Sequence, residues 1–144
     1  MAKSEDRLLI GFARSVQLGV DLEPMGRRAL RPLGVARRYF SEHESAALAA
    51  LPAAELDAAF LRAWACKEAV VKASGEGIAN QLCRFTVETG LSQPAGVLAI
   101  DGDRPDMWSL ALVRPEAAFL GAIAARSPRL SVQAFRLLPA ALDS

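Results

Sequence analysis

The segment from Pro52 to Gly77 most constrains what this chain can fold into. Pro52 suits the first turn of a long helix, and Gly75 with Gly77 suits its end. On a helical wheel with Trp64 at zero and about 100° per residue, Phe60, Leu61 and Val71 fall within about 60° of it. Glu68 falls about 40° away, inside this apolar stripe, whereas Glu55, Arg62, Ala69 and Ala73 occupy the far face. Glu68 and Lys72 are also spaced for a surface ion pair, a contribution of about 0.2–0.5 kcal/mol. That account suits a charge on an outer face. A carboxylate at the margin of a Trp/Phe/Val stripe needs a partner or a metal to offset its desolvation.

A second acidic element lies upstream. Gly19-Val20-Asp21-Leu22-Glu23 alternates as a strand does, with Val20 and Leu22 on one face and Asp21 and Glu23 on the other, roughly 7 Å apart. Two carboxylates on one strand face repel unless water or a cation lies between them. The segment therefore reads either as the wet acidic face of an edge strand or as part of a cation site. Asp21, Glu23 and Glu68 with Lys67 and Lys72 make the chemical set for a divalent cation and a pyrophosphate.

The remaining elements follow from local signals. Leu8–Ala13 and Gln17–Glu23 read as a strand pair, with Pro24 stopping the second strand. Met25–Arg38 reads as a loop or short helical region. Ser41 with Glu44 three residues later is a capping-box signature for a helix running to about Ala50. Candidate strands follow at Arg84–Glu88, Gly96–Asp101, Met107–Val113, Phe119–Ala125 and Leu130–Leu137, with Asp101-Gly102 and Pro105 marking a turn. Two strands, then helices, then consecutive strands indicate an α+β fold with an antiparallel sheet packed against a long helix, in one domain over residues 1–144.

Composition narrows the function classes. With 52% hydrophobic and 23% charged residues, a real core is expected, and a net charge of +1 gives no whole-molecule field to recruit nucleic acid or membrane. No signal peptide or 18-residue apolar run is present, so a cytoplasmic location is expected. Cys66 and Cys83 form no metal-type cluster and read as buried free thiols, Cys83 at the start of a strand. His43 has no nearby nucleophile or acid for a triad. Trp64 and Trp108 read as packing residues, and Ser41 and Ser74 as helix-end residues. The cluster Arg27, Arg28, Arg31, Arg37 and Arg38 contains no acid; it reads either as a solvated face or as an anion-binding rim for phosphates or an acidic protein.

The GVDLE strand, Phe40-Ser41-x-x-Glu44 and W-x-x-K-E-A-x-x-K-A-x-G-x-G from Trp64 to Gly77 occur in an order and spacing that resemble the 4′-phosphopantetheinyl transferases. The match is to the second of the two similar halves of the surfactin-synthetase-activating type. By motif it covers Leu8 to Gly77, with a strand-rich continuation to about Arg126. The resemblance implies that Asp21, Glu23 and Glu68 bind Mg²⁺, that Lys72 contacts the diphosphate of coenzyme A, and that Lys67 stands beside the catalytic acid at the coenzyme. It implies Glu68 and Lys72 as catalytic residues, with Arg27 and Arg28 as further coenzyme contacts. The implied reaction moves the phosphopantetheine arm of coenzyme A to a serine of an apo acyl or peptidyl carrier protein. Long members of the family carry a first half with a Ser-His pair; here the equivalent stretch falls near Lys3-Ser4, without histidine. Copies of the chain are therefore expected to supply the missing wall in a homo-oligomer, a dimer or trimer. The competing expectation is a non-catalytic carrier-protein or coenzyme A binding subunit that partners a separate first half.

Overall fold

The computed structural model describes residues 1–75 and 81–138. Its elements run β1 (Ala2–Ser4), β2 (Arg7–Leu9), β3 (Leu18–Pro24), α1 (Pro32–Tyr39), α2 (Glu42–Ala49), α3 (Ala53–Ser74), β4 (Phe85–Val87), β5 (Val97–Ile100), β6 (Ser109–Val113) and β7 (Phe119–Ala125). The expected α+β architecture is present: a long helix lies against antiparallel sheet, and no helix among the described residues is long and apolar enough to cross a membrane.

The central sheet has the order β3–β7–β6, both pairings antiparallel, with Asp21 opposite Ala122 and Val20 opposite Ile123. This corrects the expected pairing of Leu8–Ala13 with Gln17–Glu23. Residues 10–17 form no strand, Ser15 sits at φ 58, and Arg7–Leu9 instead folds back on Ala2–Ser4. The partner of β3 is β7, a seven-residue apolar run that matches it along its whole length. A ladder of that length satisfies more backbone donors and acceptors than a local hairpin broken by a left-handed residue. β4 and β5 form a separate two-stranded sheet, irregular at Thr86 and Val87. Leu130–Leu137 forms no strand, and Arg136 there pairs with Glu116.

Helix boundaries follow local chemistry. Ser41 caps α2, its hydroxyl accepting from Glu44 N–H while Glu44 Oε2 accepts from Ser41 N–H, the expected capping box. Pro52 precedes α3, and Gly75 ends it at φ 68, the left-handed conformation glycine takes without strain. Gly77, expected to share in that ending, lies outside the described residues.

The buried face of α3 is broader than the expected stripe, of which Phe60 and Leu61 are buried while Trp64 and Val71 are half-buried. Ala59, Ala63, Ala65, Cys66, Lys67, Ala69 and Val70 are fully enclosed and Ala73 nearly so, and Arg62, expected on the far face, is buried as well. Small side chains let the helix backbone approach the sheet. At Gly19 a Cβ would stand 1.8 Å from the Ala69 carbonyl oxygen and 2.4 Å from Ala73 N, so only glycine permits this crossing. The larger residues fill the helix's other flank. Phe40, Phe60 and Trp64 stack with centroids 5.5–6.3 Å apart. On the far side of β3, Val20 and Leu22 pack with Ala2 and Phe119. Trp108 is half-buried, donating its indole N–H to Asp103 at 2.9 Å.

Candidate functional site

The close approach at Gly19 brings the acidic strand under the last turns of α3. Alternation along β3 sends Val20 and Leu22 to the other face, so Gly19, Asp21 and Glu23 share the face toward the helix. Asp21 and Glu23 are buried, at 6% and 7% exposure, which excludes the wet-edge reading of this segment. Lys72 donates to Asp21 Oδ1 at 2.9 Å and to the Val20 carbonyl at 3.1 Å. The surface pair that the spacing of Glu68 and Lys72 suggested is thus replaced by a pair across the helix–strand contact.

The Asp21 charge acts on each of the other two acids. Burial and the neighbouring Asp21 carboxylate hold the Glu68 carboxyl above its ordinary value, with Lys72 pulling the other way. Burial and then Asp21 likewise push Glu23 up, opposed by Arg27. Asp21 Oδ2 is buried and has no hydrogen-bond partner. Among the described residues, no group of three or more acidic, histidine or cysteine side chains is already drawn together as a metal site. The oxygen donors available at the crossing are Asp21, Glu23 and Glu68, hard ligands of the kind Mg²⁺ takes.

The arginines divide. The tight turn after β3, with Gly26 at φ 82, folds Arg27 back so that its Nη1 donates to Glu23 Oε2 at 2.9 Å. A surface concavity of about 570 Å³ adjoins it, lined by Ser4, Glu5, Pro24, Met25 and Gly26 with Arg27. Arg28 is 88% exposed and lies 4.0 Å from Asp57, about 16 Å along α3 from Glu68. Of the two arginines expected at the coenzyme, the backbone turn directs Arg27 and not Arg28 toward the acids.

Lys67 is the larger correction. Expected at the coenzyme, it is fully buried, and its ammonium donates to Glu44 Oε1 at 2.8 Å, Glu44 Oε2 at 2.9 Å and the Phe85 carbonyl at 2.7 Å. Phe40 and Phe85 rings enclose it, centroids 5.2 and 4.0 Å away. Glu44 Oε1 also accepts from Val87 N–H at 2.7 Å. One residue along a helix is about 100° of rotation, so Lys67 turns toward β4 while Glu68 turns toward β3. Local sequence marks Glu44 only as a cap; the available signal for its second role was a lysine in a strongly apolar neighbourhood, which needs a counter-ion. Cys66 is buried, its thiol pushed up to about 12 by desolvation, whereas Cys83 is exposed in a 3₁₀ turn and not the buried strand residue expected. His43 is exposed, as its place in the first turn of α2 suggested.

The family model of the 4′-phosphopantetheinyl transferase superfamily matches residues 17–124, and the chain belongs to that superfamily. It is 30% identical over 128 residues to the 4′-phosphopantetheinyl transferase HetI of Nostoc sp., spanning 86% of this chain and 49% of that protein. It is 29% identical over 122 residues to the 4′-phosphopantetheinyl transferase psf-1 of Bacillus pumilus, spanning 83% and 49%. The chain thus spans about half the length of these curated relatives. The crystal structure of Thermotoga maritima holo-acyl-carrier-protein synthase matches with a TM-score of 0.57 at 18% identity, over 79% of this chain and 64% of that one. The Chronobacterium ammoniagenes ACPS–CoA complex matches with a TM-score of 0.52 at 17% identity, over 78% and 96%. At such identities the likeness is one of fold.

Proposed function

We propose that this chain transfers the 4′-phosphopantetheine arm of coenzyme A to a serine of an apo acyl or peptidyl carrier protein, with Mg²⁺. The observation that carries the reading is the crossing of β3 and α3, where Lys72 pairs with Asp21, the Asp21 charge acts on both Glu23 and Glu68, and one buried oxygen of Asp21 lacks a partner. A buried anionic oxygen without a donor is costly, and a hard cation relieves it. Asp21, Glu23 and Glu68 would hold Mg²⁺, which when bound neutralises charge developing on the diphosphate leaving group. Lys72 supplies a further positive charge to the diphosphate oxygens. The carrier serine Oγ forms a bond to the pantetheine-side phosphorus as the bond from that phosphorus to the bridging oxygen breaks, releasing adenosine 3′,5′-bisphosphate. Glu68 accepts the serine proton directly or through water.

Copies of the chain complete the site as a homodimer or trimer. Exposed Phe12, Leu30, Phe135 and Leu137, at 84–92% exposure, support such contacts, since isolated chains gain by covering apolar surface. A second reading is a non-catalytic coenzyme A or carrier-binding subunit that partners a separate first half. Incubation with coenzyme A, Mg²⁺ and several apo carrier proteins, read by mass spectrometry, tests the transfer directly. Gain of the arm's mass is expected. Binding of coenzyme A or carrier without mass gain supports the second reading, and light scattering reports the assembly.

A further inference from the structure

Both acids of β3 already hold a cation from their own chain. Lys72 reaches Asp21 from the last turn of α3, and Arg27 reaches Glu23 from the turn that follows the strand. The two partners of each pair differ in enclosure. The Lys72 and Arg27 side chains are 38% and 61% exposed, whereas those of Asp21 and Glu23 are each 9% exposed. The acids are held by the ladder to β7 and by the helix above; the cations are tips of long side chains with a path to solvent.

We propose that Lys72 and Arg27 are exchangeable counter-ions: a divalent cation entering at Asp21 and Glu23 displaces them, and the freed ammonium and guanidinium take the diphosphate oxygens. This rests on the metal and diphosphate reading given above. Charge accounting favours a coupled exchange. With all three carboxylates ionised, the two cations leave the site with one net negative charge. A divalent ion alone turns this to one positive charge, and a doubly anionic diphosphate restores the starting value. Each ligand therefore prepares the site for the other, and by linkage the assistance is reciprocal. The Val20 carbonyl gives Lys72 a second acceptor, so its ammonium keeps a partner while exchanging.

The experiment is a Mn²⁺ titration followed by electron paramagnetic resonance, without phosphate compounds, on wild type, Lys72→Met, Arg27→Ala, Arg84→Ala and Asp21→Asn. Lys72→Met and Arg27→Ala are each expected to bind Mn²⁺ roughly two- to fivefold more tightly than wild type, the ratio corresponding to one lost competing ion pair. Arg84→Ala removes the same charge from an exposed pair with Asp101 and is expected to leave Mn²⁺ affinity unchanged. Calorimetry at saturating Mn²⁺ is expected to show weaker coenzyme A binding by Lys72→Met. Unchanged or weaker Mn²⁺ binding by both cation variants, with binding still lost in Asp21→Asn, overturns the exchange and leaves the metal reading standing. Equal Mn²⁺ binding by wild type and Asp21→Asn overturns both. Circular dichroism checks folding, and Arg27→Ala, on an exposed turn, keeps the test decisive if Lys72→Met does not fold.

Discussion

Lys67 and Lys72 both project from the second half of α3, little more than one turn apart, and each pairs with a carboxylate from another element. The Lys67–Glu44 pair is fully enclosed, and both oxygens of Glu44 are occupied, by the ammonium and by the N–H groups of Ser41 and Val87. Nothing remains there for a ligand to satisfy. In the Lys72–Asp21 pair the lysine is partly exposed and one acid oxygen has no donor. The same residue chemistry is thus structural where hydrogen-bonding capacity is used up, and available for exchange where it is not.

The largest expected effect comes from breaking the closed pair. Glu44→Ala leaves a buried ammonium without its counter-ion and two N–H groups without acceptors, so stability should fall by about 3–5 kcal/mol in denaturant unfolding. Lys72→Met should cost no more than about 1 kcal/mol, since that pair is partly exposed. Equal losses would erase the distinction between the two pairs.

Next comes Gly19→Ala, which acts on the open pair through the backbone. The new methyl meets the Ala69 carbonyl and Ala73 N, which belong to a helix and cannot yield locally. A loss of about 1–3 kcal/mol is expected, with weaker Mn²⁺ binding because β3 and Asp21 move away from α3. Wild-type stability would show that the crossing is looser than described.

A smaller effect on stability, and a larger one on chemistry, is expected from Glu68→Gln. It should nearly abolish transfer while leaving the circular dichroism spectrum unchanged. Its pH dependence has a definite sign. Burial and Asp21 raise the Glu68 and Glu23 carboxyls, so between the ordinary carboxylate value and the raised one the folded state holds protons that the unfolded state has lost. Stability is therefore fully present below that window and declines as pH rises through it. Glu68→Gln should flatten the decline, and Mg²⁺, favouring the charged acids, should oppose it in wild type. Melting temperatures across the window check both, and an unchanged slope in Glu68→Gln would remove Glu68 from the coupled acids.

The least perturbing probe extends the closed and open contrast to the thiols. Iodoacetamide at mildly alkaline pH should label Cys83 and spare Cys66, whose thiol is buried and raised to about 12. Peptide mass mapping reads the outcome, and labelling of Cys66 in the folded protein would mean that α3 opens.

Local order is legible in the amino-acid sequence. The capping box at Ser41 and Glu44, the bounds of α3 at Pro52 and Gly75, and the strand Phe119–Ala125 depend on neighbours in the chain, and each appears where local rules put it. The shared face of Asp21 and Glu23 follows from strand alternation, which is equally local. Three decisions belong to tertiary structure. The partner of β3 lies about a hundred residues downstream, and periodicity carries no address. The buried face of α3 extends beyond the expected Trp64 and Phe60 stripe to Ala69 and Ala73, because the close crossing at Gly19 selects small residues, which let backbones approach. Lys67 and Lys72 are equivalent lysines in the motif, and only the packing of β4 against one and β3 against the other makes the first a closed structural ion pair and the second an open one. By itself the sequence determined which charged groups the helix carries; the elements packed around it decided which of them water and ligands can still reach.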